Sequence, residues 1–114
     1  MLFKPEQLDN ELRHEVRGGK GDVRFITLPK DQLPNKTRLF GTIVIPEGCS
    51  LGVHDHVNET EFYYIISGTG IGDDNGIQVQ FAPGDIMTCG NGATHNIENN
   101  GKGDLVLIAC VVLD

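Results

Sequence analysis

The chain has 114 residues, a formal net charge of −7 and only 22 % charged residues; that length accommodates one domain with a core of its own, and the acidic balance argues against nucleic acid or an anionic membrane as partner, since either would need a basic patch. Fifteen glycines, five prolines and no tryptophan fit a small β structure with many turns. Three cysteines, Cys49, Cys89 and Cys110, are odd in number and lack a CxxC spacing, which predicts free thiols in a reducing compartment and no disulfide framework.

The first sixteen residues, MLFKPEQLDNELRHEV, have no apolar core of signal-peptide length, and the longest apolar run, Leu105 to Leu113, is too short for a membrane helix. A soluble, cytoplasmic protein is expected. Pro5 to Val16 reads as a short helix, with Leu8, Leu12 and Val16 on one stripe, Pro5 near its start and Gly18 after its end. Arg17 to Gly21, RGGKG, then punctuates the chain. Two cations in a glycine-rich loop can cradle an anion, but the strand-loop-helix setting of a phosphate loop is missing, so the segment is read as a turn.

The alternating VRFITL follows as a strand, Lys30 to Arg38 as a polar connection, and Leu39 to Ile45 as a second strand ended by Pro46-Glu47-Gly48. From there turns recur at intervals too short for helices, the signature of an antiparallel sandwich or barrel. Leu51–His56, Glu61–Ser67 and Thr69–Asp73 read as successive strands. Asn75-Gly76 before the alternating IQVQF is the strongest hairpin signal in the chain. Ile86–Cys89 and His95–Glu98 flank a glycine turn as a pair closed by NNGKG, and Leu105–Leu113 is apolar on both faces, as in a strand buried on both sides.

The chemistry concentrates between Gly48 and Gly68. His54 and His56 are two apart, which on a strand points both imidazoles to one face, and Glu61 opens the next β-rich run, so three donors converge from two neighbouring strands. His95, past a glycine turn, supplies a fourth. Three imidazoles and a carboxylate suit a divalent ion of the Mn, Fe, Co, Ni, Cu or Zn group, and the absence of sulfur argues against an iron–sulfur or thiolate zinc site. Glu59 competes as the carboxylate from the VNET loop. Alternation favours Glu61, because Tyr63 and Ile65 then share its inward face and line a pocket, while Phe62, Tyr64 and Ile66 face outward for packing. On this reading Glu59→Ala leaves metal occupancy intact. Cys49 and Cys89 border these segments and read as small buried hydrophobes, and His14 has no chemical partner in the sequence.

These residues resemble the cupin superfamily. Its first motif, G-x5-H-x-H-x4-E-x6-G, is filled by Gly48, His54, His56, Glu61 and Gly68 (residues 48–68). Its second, G-x5-P-x-G-x2-H-x3-N, is met by Gly84, Gly92, His95 and Asn99 (residues 84–99), with Gly90 in the proline place, a change that costs rigidity and no ligand. The family spacing excludes Glu59. The resemblance implies an all-β, single-domain antiparallel β-barrel of jelly-roll type over residues 1–114, with a short N-terminal extension of about residues 1–21. It also implies one divalent metal (Mn, Fe, Zn or Ni) on His54, His56, Glu61 and His95, and a homodimer. Family members with this ligand set include oxalate-degrading enzymes, dioxygenases and sugar isomerases. Four protein ligands leave an octahedral ion two adjacent positions for a small molecule. The leading expectation is a metal-dependent oxygenase, decarboxylase or isomerase acting on a small carboxylate-bearing molecule by Lewis-acid or oxygen chemistry, with Tyr63 as the pocket candidate; the alternative is a non-catalytic metal- or metabolite-binding protein.

Overall fold

The computed structural model describes residues 1–114. Ten strands follow one another: β1 (Asp9–His14), β2 (Asp22–Thr27), β3 (Thr37–Ile45), β4 (Ser50–Asp55), β5 (Glu59–Ser67), β6 (Gly70–Asp74), β7 (Ile77–Phe81), β8 (Ile86–Gly90), β9 (Thr94–Glu98) and β10 (Leu105–Leu113). They form a six-stranded sheet in the order β1-β2-β3-β10-β5-β8 and a four-stranded sheet in the order β4-β9-β6-β7, with every pair antiparallel. No helix is long and apolar enough to cross a membrane.

Alternation explains which face each strand turns inward. In β2, Val23, Phe25 and Thr27 are buried; in β5, Glu61, Tyr63 and Ile65 are buried while Phe62, Tyr64 and Ile66 are exposed. The central strand β10 buries Leu105, Leu107, Ala109 and Val111 inward, and the residues between them are only partly covered, which accounts for its apolar character on both faces. Leu51, Phe81 and Ile97 of the smaller sheet meet these side chains in one core cluster of 13 buried residues. Each large aliphatic or aromatic side chain buried there contributes about 1.5–3 kcal/mol.

Three expectations are corrected by this architecture. Pro5–Val16 is not a helix: a 3-10 turn at Pro5–Gln7 leads into β1, which pairs with β2 from Asp9↔Thr27 to His14↔Asp22. An isolated helix of that length is marginal in water, whereas the ladder satisfies the backbone groups on the open edge of β2. Leu12 of the helical stripe is 54 % exposed. The jelly roll is also not a closed barrel, because no hydrogen-bonded strand pair joins the two sheets. Finally, β8 and β9 do not pair: the turn at Asn91-Gly92, with φ of 55° and 79°, carries the chain from one sheet to the other. Asn75-Gly76 does make the predicted hairpin, joining β6 to β7 with both residues at positive φ.

Candidate metal centre

The site is assembled across the gap between the sheets. β4 pairs with β9 through Ser50↔Glu98 and Leu51↔Ile97, then resumes at His54↔His95, so β4 carries one extra residue between Leu51 and His54. Such a bulge reverses the phase of alternation. Leu51 faces the core, Val53 is 60 % exposed, and His54 and His56 point back inward beside His95. Glu61 arrives from β5, which lies in the opposing sheet and is not a neighbour of β4, contrary to the expectation of adjacent strands.

The ligand atoms of His54, His56, Glu61 and His95 lie within 4.8 Å of one another. His95 Nε2 is 3.0 Å from both His54 Nε2 and His56 Nε2, and Glu61 Oε1 is 2.9 Å from His56 Nε2, 3.1 Å from His95 Nε2 and 3.8 Å from His54 Nε2. Separations near 3.0 Å are those of adjacent donors around one ion with bonds of about 2.1 Å. The donor set and its spacing therefore suit a divalent transition metal.

Two of the imidazoles are oriented by acceptors behind them. His54 Nδ1 donates to the Gly52 carbonyl at 2.7 Å, and His56 Nδ1 donates to Glu59 at 2.5 Å, which leaves each Nε2 lone pair facing the centre. Glu59 is thus not a loop residue, and it stands outside the group of four converging donors. It opens β5, is clamped by Arg38 through Nε at 2.9 Å and Nη2 at 2.6 Å, and accepts from His56, contacts that the reading of Glu59 as a bystander left out. No sequence spacing marks this contact; only the proximity of Glu59 to a candidate ligand histidine hinted at it. His95 differs, since its Nδ1 is buried without a partner and its ring stacks on Tyr63 at 4.8 Å and 14°.

Charge follows from these contacts. Burial alone would raise the Glu61 carboxyl, but contact with His54, His56 and His95 outweighs it and holds the group well below the usual carboxylate range. Glu61, opposed by burial and helped by Glu59, raises the His56 pKa, whereas burial lowers that of His95. Arg38 is the main reason that Glu59 is lowered. Burial holds the Tyr63 hydroxyl protonated and pushes the Cys89 thiol up to about 11.

A cavity of about 90 Å³ adjoins the group, lined by His54, His56, Glu61 and Tyr63, by apolar side chains including Val16, Phe25 and Leu39, and by Arg13, Arg17 and Arg38. Tyr63 is where alternation placed it. The arginines are the part that sequence reasoning missed, although the Arg17–Gly21 segment carried a visible signal as a cationic loop. Cys89 donates to the Ala93 carbonyl and stands apart from the donor group, as do Cys49 and Cys110. His14 does find partners, Asp22 at 2.6 Å and Glu15 at 2.9 Å, in an exposed ion pair away from the site. Gly90, in the proline place of the second motif, packs where a Cβ would lie 2.4 Å from Thr60 Oγ1. A larger residue there would require the Thr60 side chain to shift.

Comparison with known proteins agrees with this geometry. The cupin domain family model matches residues 41–112, well over half of the chain. An oxalate-binding protein of Thermotoga maritima is 39 % identical over 114 residues, covering 99 % of this chain and 94 % of its own. The crystal structure of a predicted oxalate decarboxylase from Thermotoga maritima is 38 % identical, covers 100 % of both chains and superposes with a TM-score of 0.92. A Klebsiella pneumoniae protein with a double-stranded β-helix domain is 19 % identical, with a TM-score of 0.72 over 98 % of this chain and 89 % of that one, and shares the fold. Both motifs, the jelly-roll sheets that carry them and a family match from residue 41 to 112 lead to one assignment: the chain belongs to the cupin domain family.

Proposed function

We propose that this cupin holds one divalent transition metal on His54, His56, Glu61 and His95 and binds a small carboxylate, of the oxalate class, at that centre. The observation that carries the reading is the meeting of a three-imidazole, one-carboxylate group with a cavity of about 90 Å³ whose lining includes three arginines. That volume is far below the ~300–1,000 Å³ of pockets for larger ligands, and guanidinium forks match carboxylate oxygens. The oxalate-binding name of the Thermotoga maritima relative supports the same class of ligand. Bound there, the metal supplies Lewis acidity toward carboxylate oxygens. The chain's own residues orient the ligand through the arginines and exclude water with Val16, Phe25, Leu39 and Ile43.

Metal-dependent binding is favoured over turnover because the cavity is lined by no carboxylate or imidazole beyond the proposed ligands. The second reading, a decarboxylase or oxygenase, rests on Tyr63, whose protonated hydroxyl is a proton donor at the cavity wall. Metal analysis of untagged protein purified without added metal, followed by calorimetric titration with oxalate and other small acids, tests the proposal. One equivalent of metal and oxalate binding by the metal-loaded form alone are expected. Equal binding by metal-free protein would overturn it, and release of carbon dioxide or uptake of oxygen would select the catalytic reading.

We also propose that the protein acts as a homodimer, as one domain per chain. Support comes from the outer face of the six-stranded sheet, where Phe40, Phe62, Tyr64, Ile66 and Ile86 are between 40 % and 65 % exposed.

A further inference from the structure

We infer that Arg17 is a specificity-determining residue, which gives the site its preference for a dicarboxylate dianion over a monocarboxylate; this rests on the metal-and-carboxylate reading above. Three arginines line the cavity, the exposed Arg17 among them, and the other two already have their charge met. Arg13 Nε donates to Glu11 at 2.7 Å, with its guanidinium carbon 4.1 Å from the centre of the Phe25 ring. Arg38 holds Glu59. Arg17 takes part in none of the ion pairs of the protein and in none of its side-chain hydrogen bonds.

The backbone places Arg17 deliberately. It sits in the 3-10 turn Val16–Gly18, and both Glu15 and Arg17 adopt left-handed backbone, with φ of 48° and 55°. Residues other than glycine keep that conformation only where the surroundings enforce it. Here the turn is fastened onto β4: a Cβ on Gly52 would lie 2.0 Å from the Arg17 carbonyl oxygen, and one on Gly19 would lie 2.2 Å from that of Ser50. Ser50 N donates to the Lys20 carbonyl and Lys20 N donates to Ser50 Oγ, each at 2.9 Å. Gly52 is also the residue whose carbonyl orients His54. One backbone contact thus sets both the free cation and a proposed metal ligand.

Charge balance then selects the ligand. A divalent ion with ionised Glu61 and three neutral imidazoles carries one net positive charge, which a monocarboxylate cancels. A dicarboxylate leaves one negative charge over, and only Arg17 has a charge free to meet it, since Arg13 and Arg38 are neutralised by Glu11 and Glu59. An unmet charge in a partly buried site is costly, and a guanidinium fork is the group that matches a second carboxylate.

The test uses protein loaded with one equivalent of manganese(II) and calorimetric titration with oxalate, a dianion, and glycolate, a monoanionic chelator. Arg17→Gln should weaken oxalate by about tenfold or more and glycolate by less than about twofold, with manganese affinity unchanged. Arg17→Lys should fall between, because it keeps the charge and loses the fork. Lys20→Gln, the loss of a nearby exposed cation, should change neither acid. Equal losses for both acids in Arg17→Gln, or no loss for either, would overturn the role of Arg17 while leaving the carboxylate site standing. Unaltered protein that takes up manganese but binds neither acid would overturn both readings.

Discussion

His56 Nδ1 donates to Glu59 at 2.5 Å, and Glu59 is itself held by both Nε and Nη2 of Arg38. The pair fixes the tautomer and ring orientation of His56 from outside the donor group. Loss of such a support costs about 10–100-fold in metal affinity, whereas loss of a ligand removes a bond to the ion. Glu59→Ala is therefore expected to weaken metal binding by about that factor, and His56→Ala, His95→Ala or Glu61→Ala to abolish stoichiometric binding. Competition titrations against a chromophoric chelator measure the difference. Equal loss from Glu59→Ala with none from Glu61→Ala would exchange their roles.

Metal affinity should fall as pH falls, in a step that takes up more than one proton. Imidazole binds metal only when neutral. The His56 pKa is raised above its ordinary 6.5, first by Glu61, so protons compete at that ligand already at near-neutral pH; His95, lowered by burial, stays available in milder acid. The sign for the fold follows. In metal-free protein the raised His56 contributes stability that is present below 6.5 and lost as pH rises through its folded value, while the lowered His95 acts in the opposite direction. Metal-bound protein at about 100 times its Kd gains roughly 2.7 kcal/mol over the metal-free form. Thermal melts of both forms should show that gap at neutral pH and its closure in mild acid. An affinity flat across this range would remove the histidines from the ligand set.

Below the histidine range, Glu59 sets a second limit. Arg38 lowers its pKa from the ordinary 4.5, so its contribution to stability is present above that value and is lost as pH falls through the folded one. Glu59→Gln should flatten this acid limb in urea melts of metal-free protein. An unchanged limb would show that the clamp to Arg38 adds nothing to the fold.

A micromolar solution should give a dimeric mass in light scattering. The register aligns Phe40, Cys110 and Phe62 in one outward row, and Thr42, Ile108, Tyr64 and Ile86 in the next, which makes a continuous apolar face. Phe62→Asp with Tyr64→Asp should shift the mass toward monomer without loss of metal. A monomeric mass for the unaltered chain would show that this face is left open to solvent.

Tyr63 is 1 % exposed and stacked on His95. Tyr63→Ala should destabilise the fold by about 3–5 kcal/mol in denaturant melts, as large-to-small aromatic changes in cores do. Tyr63→Phe keeps the stack and should retain both fold and metal. Loss of metal in the phenylalanine variant would assign the hydroxyl a role at the ion itself.

The four donors were legible in the linear chain because ligand chemistry demands particular residue types, and two-residue strand spacing with a carboxylate and a later histidine repeats a family pattern. Strand alternation and glycine turns likewise marked most of the strands, and β10 showed its central place by being apolar on both faces. Tertiary structure alone decided the rest. The extra residue of β4 between Leu51 and His54 changes which face the histidines take, and a bulge leaves no mark in composition because it is defined only against its partner β9. Residues 9–14 became an edge strand because β2 offered an open ladder, a contact that a helical stripe of leucines does not record. Glu59 lies two residues from Glu61, yet what sets it apart from the proposed ligand is the position of His56 and Arg38 across the fold. Arg17 reaches the cavity only because its turn is pressed against Gly52, a residue far along the chain. Local patterns fix which neighbouring side chains share a face of their strand; which face turns inward at a bulge, and which strands face one another, depends on long-range packing, and the site is built across that gap.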